Sequence, residues 1–359
     1  METVRKLLDW YEKEKRDLPW RHTKNPYFIW ISEIMLQQTR VETVKGYYAR
    51  FVNLLPTLFE LAAAPQDQVL KAWEGLGYYT RARNLQKAAQ EIVFSRGGVF
   101  PEEYEEILSL PGIGPYTAGA IASIAFHKPV PAIDGNVYRV SSRYFGIRED
   151  VAIPSVQKEI RNQLLALLPQ DQPGNFNQAL MELGATLCCP GTPDCGSCPL
   201  ADGCSGQLEG DAEFLPIHEK KAPPREIPMG VCLLTYQDKI LVTQRRERML
   251  GGLWVFVLLE EENLPEEIAS RLGEEGLFLE KPLFLEKARH VFTHRVWEMN
   301  IYRLSLKEPP KESWLASHSA ALVTKSQLEA LPMPTAMKAA RRLALQQLEN
   351  QPEEKTKGK

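Results

Sequence analysis

Four of the six cysteines of this chain crowd into residues 188 to 204, as Cys188, Cys195, Cys198 and Cys204. Separated by six, two and five residues, they form a loop compact enough for four thiolates to converge on one inorganic centre. A cubic iron-sulfur cluster and a tetrahedral zinc knot both satisfy that spacing, whereas buried structural cysteines rarely cluster so tightly. Disulfides are disfavoured: the chain starts METVRKLLDWYEKEKRD, an amphipathic helix pattern instead of a signal peptide, and reads as cytosolic. Cys189 breaks the spacing and Cys232 falls in a strand-like run, so neither is expected to be a ligand.

At 359 residues, with 44% hydrophobic and 25% charged side chains, the chain exceeds what one core organises, and two domains are expected. No stretch approaches the ~18 to 20 consecutive apolar residues of a membrane span, which predicts a soluble, intracellular protein without a membrane partner. The net charge of -3 gives no hint of a polyanion. Any nucleic-acid contact must then come from a local patch or from backbone amides.

Residues 1–204 read as all-α. Apolar positions recur with a 3.6-residue period at Val4, Leu7, Leu8 and Tyr11, again over 28–35 and again over 118–126. Connectors rich in Gly and Pro separate them at 75–77 and 110–115. Residues 205–225 are polar and contain prolines, as in an interdomain linker. From 226 to 348 the pattern shifts, predicting strands over 231–236, 240–243, 254–259, 291–297 and 301–304 and helices over 265–272 and 337–348, a smaller α+β domain. Residues 349–359 are expected to be disordered.

Three further features carry chemistry. In Leu110-Pro111-Gly112-Ile113-Gly114-Pro115-Tyr116-Thr117, a tight glycine turn joins two helical runs. Its amides suit a phosphate approaching the new helix N-terminus, although a plain helix-helix turn reads the same way. Downstream, Asp134 follows an apolar run at the mouth of a helix, where an acid also serves as an N-cap. Glu33 lies on an otherwise apolar helix among Trp30, Ile34 and Met35, with Gln37 one turn on. Desolvation there would raise its pKa and suit a general acid; a solvated helix face is the plain alternative.

Joined to Leu18-Pro19-Trp20-Arg21, to SEIMLQQTRV at 32–41 and to Glu74-Gly75-Leu76-Gly77-Tyr78-Tyr79, these motifs resemble one family over nearly the whole chain. It is the helix-hairpin-helix DNA glycosylases with a Gly/Pro-rich loop followed by an aspartate, in the branch holding a 4Fe-4S cluster. The resemblance implies a six-helix barrel and a cluster domain flanking a cleft that receives a flipped base. It is nearest to the members that excise adenine opposite 8-oxoguanine or guanine from double-stranded DNA. For those, Glu33 is implied to protonate adenine N7, Asp134 to stabilise the oxocarbenium ion or trap it covalently, and Tyr116 to orient the reacting groups. A lysine at position 116 would make a backbone-cutting lyase; the tyrosine implies a monofunctional hydrolase.

By the same resemblance, Trp20, Arg21, Leu36, Val41 and Gln178 line the adenine pocket, Arg21 serving equally well as a phosphate ligand. Gln38 and Tyr78 are implied wedges in the base stack, and Thr39, Leu76, Gly77, Gly112, Gly114 and Asn136 DNA contacts. Tyr78 also reads as an ordinary turn aromatic. The four cysteines become ligands of a 4Fe-4S cluster, and a monomer in the bacterial cytoplasm is expected. Residues 226–348 resemble a Nudix-like domain that reads the 8-oxoguanine. Glu266, Glu267, Glu274 and Glu275 do not form the R-E-x-x-E-E pattern of a magnesium-dependent Nudix hydrolase, so pyrophosphate hydrolysis is not expected. The implied reading loop is Phe292-Thr293-His294, in which Thr293 keeps the hydroxyl of the more usual serine. Polar residues on a strand are the alternative for His290 and His294.

Overall fold

The computed structural model describes residues 2–219, 222–247 and 249–349. The chain divides into two compact units, Met1–Ala63 with Asn84–Lys221, and Ala64–Arg83 with Ala222–Lys359. Among the described residues no helix is long and apolar enough to cross a membrane.

The first unit is helical. Its order is α1 (Glu2–Glu14), α2 (Pro26–Leu36), α3 (Val41–Leu54) and α4 (Leu58–Ala63); after α5 (Gln66–Ala72), which belongs to the other unit, comes α6 (Thr80–Ser95). Then follow α7 (Tyr104–Leu108), α8 (Pro115–Phe126), α9 (Gly135–Phe145), α10 (Pro154–Leu167), α11 (Pro173–Thr186) and the short α12 (Ser205–Leu208). Helix α2 starts on Asn25, whose side chain accepts from Tyr27 N, with Pro26 at the first position. Both α2 and α8 are apolar on nearly every face and buried accordingly, so any polar side chain on them is held away from water. A second core joins Leu7 and Tyr11 of α1 to Val137 and Val140 of α9, Ile160 of α10, and Phe176 and Leu180 of α11.

In the second unit a seven-stranded sheet runs β3-β2-β1-β6-β5, with β4 paired to β1 and β7 to β2. The strands are β1 (Arg225–Tyr236), β2 (Lys239–Gln244), β3 (Trp254–Val255), β4 (Val257–Glu260), β5 (Leu283–Val291), β6 (Arg295–Ser305) and β7 (Ala320–Val323). Strands β1 and β6 are parallel, with Val231 opposite Ile301; the other pairs are antiparallel. Both faces are covered, which is why β1 is almost continuously apolar instead of alternating. Ile227, Met229, Val231 and Leu233 pack under Met337 and under Ala340 and Ala344 of the helix that follows it, α16 (Lys338–Glu349). Cys232 and Leu234 face Ile268 and Leu272 of α13 (Pro265–Glu274) and Trp314 of α14 (Glu312–Ser317). A further short helix, α15 (Lys325–Ala330), precedes α16.

Several boundaries differ from those expected. Residues 64–83 fall within the expected helical domain 1–204, yet they group with the C-terminal unit. Lys71 Nζ donates to Leu331 O at 3.2 Å, Tyr79 Oη to Met333 O at 3.3 Å, and Arg341 pairs with Glu74 at 2.6 Å. The expected linker 205–225 is largely built structure: α12 occupies its start, Ala212 and Leu215 are buried, and Arg143 Nε donates to Leu215 O at 3.0 Å. Strand β1 already begins at Arg225. The expected run 291–297 is a hairpin turn, because Val291 ends β5 and β6 starts at Arg295. Of the tail expected from 349, Glu349 closes α16 and residues 350–359 lie outside the described residues.

Candidate active site and DNA-facing elements

The hydrophobic sequence of α2 carries Glu33 inward, leaving it 5% exposed. Its Oε2 accepts a hydrogen bond from the Tyr116 hydroxyl, which also reaches Met181 Sδ at 3.5 Å. Burial pushes the Glu33 carboxyl up to about 7; the Tyr116 bond and the Arg21 charge oppose the shift, and the nearby Asp134 charge adds to it. Tyr116 itself is raised, first by burial and then by Glu33 and Asp134. The structure therefore brings Glu33, Tyr116 and Asp134 into one electrostatic neighbourhood.

Asp134 caps α9, accepting from Val137 N at 2.7 Å and from Asn136 Nδ2 at 2.8 Å. Burial raises its carboxyl while those two bonds and the Arg139 charge hold it down. The loop delivering it is clamped by Asn177 of α11, itself 1% exposed, which accepts from Ala132 N at 3.0 Å and donates to Val130 O at 2.9 Å. Gly119 lets α8 lie against the same loop, because a Cβ there would fall 2.5 Å from Pro131 O.

Arg21 is engaged otherwise than expected. With Arg16 it grips Glu182, the two ion pairs measuring 2.7 Å and 2.8 Å, and it lies over the Tyr11 ring. Burial alone would raise Glu182, but the two guanidiniums outweigh it and hold the carboxyl at about 2. Trp20 is buried edge-on to Tyr48, Leu36 and Val41 are half-buried at the end of α2 and the start of α3, and half-buried Gln178 donates to Gly174 O at 3.3 Å. Asn136 is a bracket for Asp134 and is itself held by Arg139 at 2.8 Å. Sequence reasoning missed Arg16, Asn177, Glu182 and Arg139. Glu182 had a usable signal, since like Glu33 it stands among apolar neighbours, Leu180, Met181 and Leu183.

The glycine turn between α7 and α8 forms as expected. Gly112 adopts φ +75 and leaves no room for a Cβ, which would lie 2.4 Å from Asn84 Cβ. Gly114 caps α8 with nothing within 4 Å of its missing side chain and with no side-chain cap hydrogen bond at the helix N-terminus, where Pro115 carries no N–H. Gln38 and half-buried Thr39 follow α2, and Gln38 is exposed at φ +57.

Cys188, Cys195, Cys198 and Cys204 border one small cavity, with Arg143 in its wall. Among the described residues no group of three or more His, Cys, Asp or Glu is gathered as for a single metal ion. Arg143, 1% exposed, donates to Cys188 Sγ at 3.3 Å and to the carbonyls of Cys189 and Gly191. Burial raises all four thiols, so metal coordination is what would deprotonate them. Four thiols lining one cavity beside a buried guanidinium are the donor chemistry that a thiolate-ligated centre would use.

In the second unit, the segment 75–80 and the β5–β6 turn line a common cavity of about 670 Å³, within the range of small-molecule sites. Phe292 points inward, edge-on to Trp297 at 4.9 Å and to His290 at 4.5 Å, which leaves Thr293 and His294 exposed at the tip. Tyr78, exposed and at φ +47, places its hydroxyl 3.2 Å from Thr293 Oγ1. Arg81 supports that turn from beneath, donating to the carbonyls of Leu76 and Gly77. Glu267 caps α13, and Glu275 pairs with Arg271, uses unrelated to a metal cage.

Residues 31–170 match the HhH-GPD superfamily base excision DNA repair protein model, and residues 230–342 match the NUDIX domain. A thermostable thymine-DNA glycosylase superposes with TM-score 0.52 and 31% identity, over 57% of this chain and 95% of that one. The helical fold, the glycine hairpin and the buried carboxylates thus define a base-excision DNA glycosylase. The chain is 34% identical to the adenine DNA glycosylase of Homo sapiens, over 89% of this chain and 71% of that one. It is also 34% identical to the adenine DNA glycosylase of Buchnera aphidicola subsp. Acyrthosiphon pisum, over 86% and 90% respectively. The chain belongs to the adenine DNA glycosylase family and is a hydrolase.

Proposed function

We propose that this enzyme hydrolyses the N-glycosidic bond of adenine paired with 8-oxoguanine or with guanine in duplex DNA, acting as a monomer. The observation that carries the reading is the Glu33 carboxyl, buried, hydrogen-bonded by Tyr116 and raised to about 7 beside Asp134. A carboxylic acid still protonated near neutrality donates its proton to adenine N7, which turns the base into a competent leaving group. The C1′–N9 bond breaks with its electron pair going to the base. Asp134 then offsets the positive charge developing on the sugar, electrostatically or by bonding to C1′, and water completes the hydrolysis. Tyr116 offers a hydroxyl where a lyase needs an amine.

Exposed Thr293 and Tyr78 support a base-reading role for the β5–β6 turn, with Thr293 and the backbone addressing the oxidised edge and Phe292 and His294 framing it. Gln38 and Tyr78 enter the base stack, and the amides at Gly114 bind phosphate. Cys188, Cys195, Cys198 and Cys204 hold a 4Fe-4S cluster, which when bound supplies a rigid cross-link of the loop and a redox-active centre.

Single-turnover base release from duplexes carrying A opposite 8-oxoguanine, G or T tests the reading. The expected order is 8-oxoguanine, then G, with T inert; equal rates on all three would overturn it. Borohydride should trap no covalent adduct through an amine of the protein.

A further inference from the structure

The cavity at the β5–β6 turn does not stop at the turn. It shares Gly75, Pro334 and Thr335 with a second cavity of about 410 Å³, so the two form one trough. Lys338, Arg341 and Arg342, on the first turns of α16, border the far end opposite Glu74. Arg83 and Arg295 are the charged residues of the near end. The wall thus carries five guanidinium or ammonium groups and one carboxylate, in a chain whose net charge is -3.

Arg341 is paired with Glu74 at 2.6 Å, which Lys71 shares at 2.7 Å, and Arg295 stands 3.8 Å from Glu260 of β4. Arg342 leans on Glu286, which is not part of the trough wall. Lys338 is exposed and has no ion-pair partner among the described residues. Three carboxylates, Glu74, Glu260 and Glu286, thus answer five cations, and the remaining positive excess points to an anionic occupant; a groove adjoining a base-sized cavity suits a polyanion better than a single ion.

We propose that the trough is a backbone track: it binds the phosphates of the strand whose base is read at Thr293, with Lys338 and Arg342 each neutralising one phosphate. The exposed Thr335 hydroxyl lies between the two ends and donates to the same strand. The track rests on the base-reading assignment of the turn. Such contacts position the strand without reading sequence, so they strengthen binding to lesion-bearing and undamaged duplexes alike.

The test is binding of the full chain to two duplexes, one with 2′-fluoroadenosine opposite 8-oxoguanine and one fully paired, titrated over a series of salt concentrations. K338A is expected to make the slope of log affinity against log salt shallower by about 0.9, and K338A/R342A by about 1.8, equally on both duplexes. Methylphosphonates placed one at a time along the 8-oxoguanine strand should weaken the wild type at one or two positions and leave K338A indifferent there. Unchanged slopes, or sensitivity confined to the adenine strand, would overturn the track. T293A separates the two ideas: loss of lesion preference in T293A alongside unchanged K338A slopes removes the track and keeps base reading. Shallower K338A slopes with an unaltered lesion preference in T293A remove base reading, and with it the link that assigns the track to that strand.

Discussion

Arg139 ties the backbone of Cys188 to the loop that carries Asp134: its Nε donates to Cys188 O at 2.8 Å while its Nη2 donates to Asn136 Oδ1 at 2.8 Å and Gly184 O at 2.6 Å. Asn136 in turn holds Asp134 Oδ2 at 2.8 Å. Two side chains therefore join the Asp134 carboxylate to the cysteine loop.

Arg139→Leu removes three donated hydrogen bonds at once and frees Asn136 to turn away from Asp134. Bonds to or from charged groups contribute about 1.5 to 3 kcal/mol each, so the single-turnover rate is expected to fall at least ~10-fold and the unfolding temperature to drop as well. A rate within twofold of wild type would show that the α9 cap alone positions Asp134.

The Glu33 carboxyl is raised to about 7 mainly by burial, and in the proposed reaction it acts as an acid only while protonated. The rate of base release should decline as pH rises through about 7. Stability follows the same group: the native state holds the proton more tightly than the unfolded chain, so stability is full below the unfolded pKa and is lost as pH rises through about 7. The loss amounts to about 3 kcal/mol. Glu33→Gln should therefore abolish activity yet unfold at higher denaturant than wild type at pH 8, with no difference near pH 4.

Tyr116→Phe deletes the hydrogen bond that lowers the Glu33 pKa. The alkaline limb of the pH-rate profile should move to higher pH while the maximal rate falls, measured by single-turnover kinetics between pH 5 and pH 9. A limb that moved down instead would mean that the hydroxyl stabilises the protonated acid.

Glu182 is the counterexample, a carboxylate just as buried but ion-paired and held at about 2. Its contribution to stability is present above the unfolded pKa and is lost as pH falls through about 2. Glu182→Gln leaves Arg21 facing a neutral group and should destabilise the fold by about 3 kcal/mol at pH 7, in the range for breaking a buried pair, with a smaller deficit near pH 2. Urea melts at both pH values check this.

Purified protein should show a visible charge-transfer band from iron-thiolate bonds, lost on substituting Cys198 with Ser along with the folding of the loop. A colourless protein containing one zinc would overturn the cluster assignment.

Much of the molecule was legible in one dimension. A helix with no polar face must be buried, so the apolar runs of α2 and α8 announced both their helices and the isolation of Glu33. Glycines flanking Ile113 marked the hairpin, because only that residue type tolerates φ +75 against Asn84. Strands β5 and β7 were not legible. β5 is an edge strand whose charges, half-buried Glu286 and exposed Lys287 and Arg289, break the apolar signal, and β7 spans only Ala320–Val323.

The family resemblance marked a tyrosine in place of an amine; the sequence by itself determined which other residues stand out as candidates for chemistry, namely a carboxyl among apolar neighbours, a helix-capping acid and four spaced thiols. Those follow from local pattern and side-chain type. Only the tertiary structure decided what each buried charge became, because a pKa depends on partners brought from distant positions. Burial raised Glu33 to about 7 against the opposing pull of the Tyr116 hydroxyl, whereas Glu182 met two guanidiniums and fell to about 2. It also decided that residues 64–83 pack with the sheet-bearing unit, setting Tyr78 beside Thr293, a proximity that no periodicity along the chain encodes.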